Sequence, residues 1–248
     1  MRLLVTRPEP DALKLCGLLE DAGHEAVAEP LLSLSFDDAD PVDLEGAQAL
    51  IATSRNALRA LKGAEAATST LVDARHLPLF AVGRATATEA RALGFETVVT
   101  GAGTAAELVA HIVSVLDPAA GVLVHLAGDT VAHDLAGELE AHGFRVRQPV
   151  VYRMITAGSF ADTTVEALAL NDIDGVLLMS PRTAAVYARL VARHGLTAAV
   201  RPLPHFCLSP AVARRLQPLG AVQTLVPDAP RLEELLALID ETAAQSDG

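Results

Sequence analysis

The 248-residue chain has no tryptophan, two tyrosines and six phenylalanines. An aromatic share of 3% leaves too few rings for the stacking surfaces that bind single-stranded nucleic acids. Basic residues are also scarce: 19 Lys and Arg face 31 Asp and Glu, a net charge of −12. Such a balance argues against nucleic acid or an anionic membrane surface as a general partner. Two lone cysteines, Cys16 and Cys207, have no framework spacing and point to a reducing, cytoplasmic setting. No apolar run is long enough to span a membrane. The short run Leu3–Thr6 is cut off by Arg7-Pro8, so no signal-peptide core is expected. The eight histidines show no paired-ligand spacing with the cysteines, and no nucleophile elbow is present.

What the chain does have is 51% apolar residues, arranged twice over. Ala49-Leu50-Ile51-Ala52-Thr53-Ser54-Arg55 is answered 126 residues later by Gly175-Val176-Leu177-Leu178-Met179-Ser180-Pro181. Ala81-Val82-Gly83-Arg84-Ala85-Thr86 meets Cys207-Leu208-Ser209-Pro210-Ala211-Val212 at the same offset. Glu107-Leu108-Val109-Ala110-His111-Ile112 meets Glu234-Leu235-Leu236-Ala237-Leu238-Ile239. A fourth match breaks the order: Leu135, Gly137, Leu139, Glu140 and Gly143 answer Leu15, Gly17, Leu19, Glu20 and Gly23, which lie 120 residues earlier. The unit that closes one copy therefore opens the chain in the other. Two domains are expected, one continuous over 40–148, the other assembled from 1–36 and 153–248, with linkers at 37–39 and 149–152.

Short apolar runs alternate with helical patterns throughout. Runs that are apolar at nearly every position belong to strands buried on both faces, as in parallel sheets. Strand–helix alternation then predicts α/β architecture: two similar doubly wound parallel-sheet domains, one inserted into the other and joined by a two-stranded linker. Gly23, Gly94, Gly143 and Gly195 fall where helix C-caps belong. A cleft between two such domains is a usual ligand site, and Ser54 and Ser180 are expected to face each other across it.

Ligands of open parallel sheets bind beyond the carboxyl ends of the strands. At those ends stand Arg7, Ser54, Arg55, Arg84, Thr86, Ser180, Arg182 and Ser209, and Arg153 follows the returning crossover. The plain reading of a Ser or Thr there is a helix cap, and Ser180-Pro181 also fits an N-cap with proline at N1. The same helix starts offer free N–H groups to an anion. Gathering arginines at strand ends in an acidic protein points to a ligand with several negative charges. Gly101-Ala102-Gly103-Thr104-Ala105-Ala106 loosely fits the dinucleotide glycine pattern, but its repeat counterpart has no glycine and it opens the third unit of its domain rather than the first.

Taken in order, Val5-Thr6-Arg7-Pro8, Thr53-Ser54-Arg55-Asn56-Ala57, Ala81-Val82-Gly83-Arg84-Ala85-Thr86-Ala87, Pro149-Val150-Val151-Tyr152-Arg153, Ser180-Pro181 and Leu208-Ser209-Pro210 resemble uroporphyrinogen-III synthase. The resemblance implies a cofactor-free, metal-free, monomeric lyase that closes hydroxymethylbilane to a macrocycle with its last ring inverted and loss of water. Eight substrate carboxylates would suit the strand-end arginines and helix starts, with Ser54, Arg55, Thr86, Tyr152 and Ser180 facing the substrate. It implies Tyr152 as a proton donor to the departing hydroxyl, and transient contact with hydroxymethylbilane synthase as a partner. One departure is Ala211-Val212, where some members carry two threonines; Ser209 or backbone N–H groups would have to serve instead. A different class of protein would use the same strand-end sites: a non-catalytic two-domain hinge module binding a carboxylate-rich small molecule.

Overall fold

The structure, a computed structural model, describes residues 1–63, 71–131 and 133–246. In chain order it contains β1 (Arg2–Val5), α1 (Asp11–Asp21), β2 (Glu25–Ala28), β3 (Leu32–Ser35), β4 (Ala47–Ala52), α2 (Arg55–Gly63), β5 (Leu79–Ala81), α3 (Arg84–Ala92), β6 (Val98–Thr100), α4 (Ala105–Val115) and β7 (Val122–Gly128). Next come α5 (Leu135–Ala141), β8 (Arg145–Arg147), β9 (Val150–Thr156), α6 (Asp162–Ala169), β10 (Gly175–Leu178) and α7 (Pro181–Arg193). The chain ends with α8 (Thr197–Val200), β11 (His205–Cys207), α9 (Pro210–Ala213), a 3-10 helix (Arg214–Leu219), β12 (Thr224–Leu225) and α10 (Leu232–Ser246). It divides into two compact units: unit 1, Met1–Ser33 with Ile155–Gly248, and unit 2, Leu34–Met154.

Unit 1 is built on a sheet of order β12-β11-β10-β1-β2, parallel throughout. Unit 2 carries the matching sheet β6-β5-β4-β7-β8, again parallel. The match is circular: β7–α5–β8 takes the place of β1–α1–β2, and β4, β5 and β6 take those of β10, β11 and β12. The register agrees with the letters. Leu3 lies opposite Gly175 in one sheet, and Leu123 lies opposite Ala49 in the other. The repeat in the sequence is thus a repeat of strand order.

Period-2 alternation explains why helices cover both faces of the unit 2 sheet. Leu50, Ala52, Val124 and Leu126 point to one face and pack on Ala57, Leu58 and Leu61 of α2 and Ala87 and Ala90 of α3. Ala49, Ile51 and Leu123 point to the other, against Leu108 and Ile112 of α4 and Leu135 and Leu139 of α5. In unit 1, Leu3, Val5, Leu177 and Phe206 pack on Leu15 and Leu19 of α1 and Leu235 and Ile239 of α10. Burying one such side chain is worth about 1.5–3 kcal/mol. Cys16 and Cys207 are both free and buried, and burial pushes the Cys207 thiol up to about 12.

The repeat-related glycines Gly23 and Gly143 end α1 and α5 with φ of +85° and +87°. The amide of the next residue reaches back to the helix in each, His24 to Leu19 and Phe144 to Leu139, the arrangement that uses up the last carbonyls of a helix.

Four elements differ from the sequence pattern, which marks Leu31–Asp40 as a crossing near the first linker, Val131–His142 and Ala211–Leu216 as helices and Val222–Val226 as a strand. Leu32–Ser35 forms a strand, with Leu32 buried and Ser33 exposed, although it reads as a crossing segment. It pairs with β9 at the edge of the second sheet, so β3 and β9 are the two linking strands. The helix expected over Val131–His142 begins only at Leu135, because Asp134 accepts from the Gly137 N–H at 3.0 Å and caps it; Ala132 lies outside the described residues. The helix expected over Ala211–Leu216 becomes a short α-turn and then a 3-10 helix containing Pro218, which has no N–H with which to continue an α-helix. Finally, β12 is two residues rather than Val222–Val226, a short edge strand that limits unwanted pairing.

Candidate functional site

In unit 2 the chain order runs one way across the sheet from β4 to β6 and the other way from β7 to β8. The reversal lies between β4 and β7, and open α/β sheets bind ligands outside the strand ends at that point. A pocket of about 240 Å³ sits there, lined by Thr53 and Ser54 after β4, His125, Ala127 and Gly128 of β7, Thr130, Val131 and His133 of the following loop, Ala105 and Tyr152.

Strand length positions these groups. β7 has seven residues where β1 has four. One edge of β7 is shared: Val122–Val124 pair with β8, and Ala127 and Gly128 pair with Val150 and Tyr152 of β9. The longer β7 thus brings the returning strand to the strand-end reversal. The Asp129 N–H donates to the Tyr152 carbonyl at 3.0 Å. The Tyr152 ring lies against Gly128, where a Cβ would stand 2.5 Å from Tyr152 Cζ and 2.7 Å from its Oη. Residue 128 can only be glycine with the tyrosine in this position.

Beside the ring is a polar chain. His125 is completely buried. Its Nδ1 lies 2.9 Å from Gln148 Oε1, and its Nε2 lies 3.4 Å from Thr53 Oγ1. An amide oxygen can only accept, so Nδ1 carries the proton and Nε2 is the bare nitrogen. Burial is the largest influence on its titration and holds its pKa below the usual histidine value, with the Gln148 bond acting the other way.

Unit 1 holds a second buried imidazole. His205 Nδ1 lies 3.2 Å from the Gln223 carbonyl and Nε2 accepts from the Tyr187 hydroxyl at 3.1 Å. Burial lowers its pKa and raises that of Tyr187. Both histidines are neutral when folded, so below about 6.5 the unfolded chain binds protons that the folded chain refuses. Their contribution is complete above that pH and is lost as pH falls through the window beneath it, by up to about 1.4 kcal/mol per pH unit for each. The urea midpoint should therefore drop between pH 7 and pH 5.5; a flat midpoint would contradict the buried neutral assignment.

Of the residues singled out in the sequence, Ser54 and Tyr152 line this pocket. Ser54 Oγ accepts from the Asn56 N–H at 3.2 Å, so the serine serves as a cap as well. Arg55 opens α2, and the exposed Arg84 opens α3. Thr86, on the inner side of α3, is only 5% exposed, and Arg153 is half-buried on β9. In unit 1, Arg7 pairs with Asp11 at 3.1 Å and also reaches Met179 Sδ. Ser180 caps α7 through the Thr183 N–H at 3.1 Å, with Pro181 and Arg182 following, and Ser209 stands at the start of α9. The Gly101–Gly103 turn has a structural role. A Cβ on Gly101 would lie 2.9 Å from the Val82 carbonyl, and the start of α4 is closed by Thr104 and Glu107 in a capping box. With a carboxylate already there, that helix end is not open to a pyrophosphate.

His125 is not among the residues that the sequence singles out. The repeat held the signal: the position 120 residues earlier is Val5, so an imidazole replaces an aliphatic side chain in a buried strand. Gln148, an exposed residue in the turn between β8 and β9, carries no such signal. Among the described residues no group of three or more His, Cys, Asp or Glu side chains could hold a metal ion, and no helix is long and apolar enough to cross a membrane.

A family model for uroporphyrinogen-III synthase HemD matches residues 14–237. Among solved structures, uroporphyrinogen-III synthetase from Helicobacter pylori 26695 is similar at 18% identity with a TM-score of 0.64, covering 98% of this chain and 100% of that one. A mutant uroporphyrinogen III synthase from the extremely thermophilic bacterium Thermus thermophilus is similar at 17% identity with a TM-score of 0.56, covering 99% of both chains. At these identities the two structures support the fold. No curated protein matches the chain.

Proposed function

The chain belongs to the uroporphyrinogen-III synthase family, cyclising lyases of tetrapyrrole biosynthesis, and from that premise we propose that the unit 2 pocket holds one pyrrole ring of hydroxymethylbilane while the chain closes with ring D inverted. The observation that carries this reading is the placement of Tyr152 over Gly128 and beside Ser54 at the strand-end reversal. About 240 Å³ is smaller than the ~300–1,000 Å³ pockets that enclose whole ligands, which suits one ring of a larger substrate.

Among the described residues no Arg or Lys lines the pocket, so the substrate's carboxylate arms belong elsewhere. Arg55, Arg84 and Arg153 of unit 2, with the helix start at Ser54 and the Thr86 N–H, are candidate carboxylate contacts. Arg7, Ser180, Arg182 and Ser209 are the candidates in unit 1. The arms supply binding energy, and that energy is used to hold the reacting carbons together. Departure of the terminal hydroxyl as water needs a proton, and Tyr152 Oη is the donor we assign. The cation left behind must be kept from water, which a ring packed on backbone helps to do. Action as a monomer in the cytoplasm, with at most transient contact with hydroxymethylbilane synthase, belongs to the same proposal.

Tyr152→Phe tests the donor. A phenol is a weak acid, so its loss should slow turnover about 10- to 100-fold and raise the share of type I product, without abolishing reaction. Full rate and full isomer purity in Tyr152→Phe would remove the donor role.

A further inference from the structure

The turn before α5 is where the two units part. The repeat pairs Asp11, where α1 starts, with Val131, 120 residues on, yet α5 starts only at Leu135. Unit 2 thus gives up a turn of helix that unit 1 forms. Val131 and His133, released from the helix, line the pocket, whereas Leu13, the counterpart of His133, stays on α1 and is 66% exposed. His133 Nε2 is shut off from solvent and lies 3.0 Å from Glu138 Oε1 of α5, a close charge contact not aligned as a hydrogen bond. A carboxylate only accepts, and a bare nitrogen facing it would be repelled, so Nε2 bears the proton of the neutral ring. Nδ1 is then the bare nitrogen. It has no partner among the described residues and is not shut off from solvent, and the side chain keeps 37% of its surface.

We propose that His133 Nδ1 is the general base of the closure, taking the hydrogen that the ring D carbon must lose when that carbon forms its new bond. This rests on the reading of the pocket as a pyrrole site. Closure replaces one pyrrole carbon–hydrogen bond by a carbon–carbon bond, so two protons have to be placed. Tyr152 Oη gives one to the terminal hydroxyl, the carbon–oxygen bond breaks and water leaves. Electrons of ring D make the carbon–carbon bond. The carbon–hydrogen bond then breaks, its electron pair restores the aromatic ring, and the proton goes to Nδ1. The imidazolium returns it to the tyrosine oxygen, and both groups end as they began. An imidazole can accept and give up a proton near neutral pH, and the Glu138 carboxylate faces the cation while it lasts. The other titratable groups nearby are less suited. His125 is completely buried, and Asp134 is engaged in capping α5 through the Gly137 N–H.

His133→Gln should keep the wild-type urea midpoint, because the residue is half-buried in a loop, while kcat for type III product falls about 100-fold. Hydroxymethylbilane with deuterium on the free α-carbon of ring D gives a reading that a structural role would not move. The isotope effect on kcat should be larger in His133→Gln than in wild type, since cleavage of the carbon–hydrogen bond becomes the slow step. His133→Gly should regain type III product when imidazole is added, and Tyr152→Phe should not respond to it. Wild-type kcat in His133→Gln overturns the proposal. So does a slower reaction with no larger isotope effect and no response of His133→Gly to imidazole. In both cases wild type still forms type III product and the assigned reaction stands. If wild type itself forms none, the assigned reaction fails and the base with it.

Discussion

Gly128→Ala is expected to cost about 1–3 kcal/mol of stability and to lower turnover by more than Tyr152→Phe does. One methyl group is the whole change, yet its carbon would stand 2.5 Å from Tyr152 Cζ, far inside van der Waals contact. Relief requires either the tyrosine to leave its place or β7 and β9 to part where Gly128 and Tyr152 pair. Either route removes the phenol from the pocket and opens the pocket to water. Gly128→Ala combined with Tyr152→Ala should recover most of the lost stability and none of the isomer control. Such non-additivity, about 1 kcal/mol or more, marks a direct contact. Urea midpoints for the four proteins of the cycle check this. A Gly128→Ala protein with the wild-type midpoint and wild-type rate would show that the ring does not lie where the structure puts it.

The second large effect belongs to unit 1. Helix α6 begins at Asp162 after Ala161, which has no side chain able to cap it. Glu29, just after β2, does so instead. Its buried carboxylate accepts from the Ala161 N–H at 3.2 Å and from the Thr164 hydroxyl. Glu29→Ala leaves the buried Thr164 hydroxyl without its acceptor, worth about 1–3 kcal/mol, and leaves the start of α6 at the exposed Ala161 uncapped, so a loss of about 2–3 kcal/mol is expected. The contact spans 132 residues and ties the opening segment of unit 1 to the segment that returns after unit 2. Glu29→Gln keeps an acceptor oxygen and should lose less. Equal midpoints for Glu29→Ala and wild type would mean that the two segments are held together by the sheet and apolar core alone.

These residues also show where sequence reasoning reaches its limit. The alternation of apolar runs with helical patterns made the strands legible, because parallel strands buried on both faces have to be apolar throughout. The circular repeat carried the topology, since matched letters at Leu3 and Leu123 occupy matched positions in two sheets. Its place at a strand end made Ser54 legible as a pocket group, whereas Tyr152, inside β9, was legible only through the family resemblance. What stayed hidden depends on contacts between distant segments. Glu29 is an ordinary acidic residue until Ala161 is placed beside it. His125 and Gln148 are 23 residues apart and meet only because β8 and β9 share one edge of β7. Gly128 gives no sign in the sequence that a ring will be laid on it.

The central claim is that this chain closes hydroxymethylbilane with inversion of its last ring. The most direct measurement supplies that substrate to the wild-type protein through a coupled assay and separates the type III and type I isomers of the product. Type III product, formed faster than spontaneous closure, is the predicted result. Type I product alone, at the rate of the uncatalysed reaction, would contradict it and leave the strand-end groups as a binding surface without chemistry.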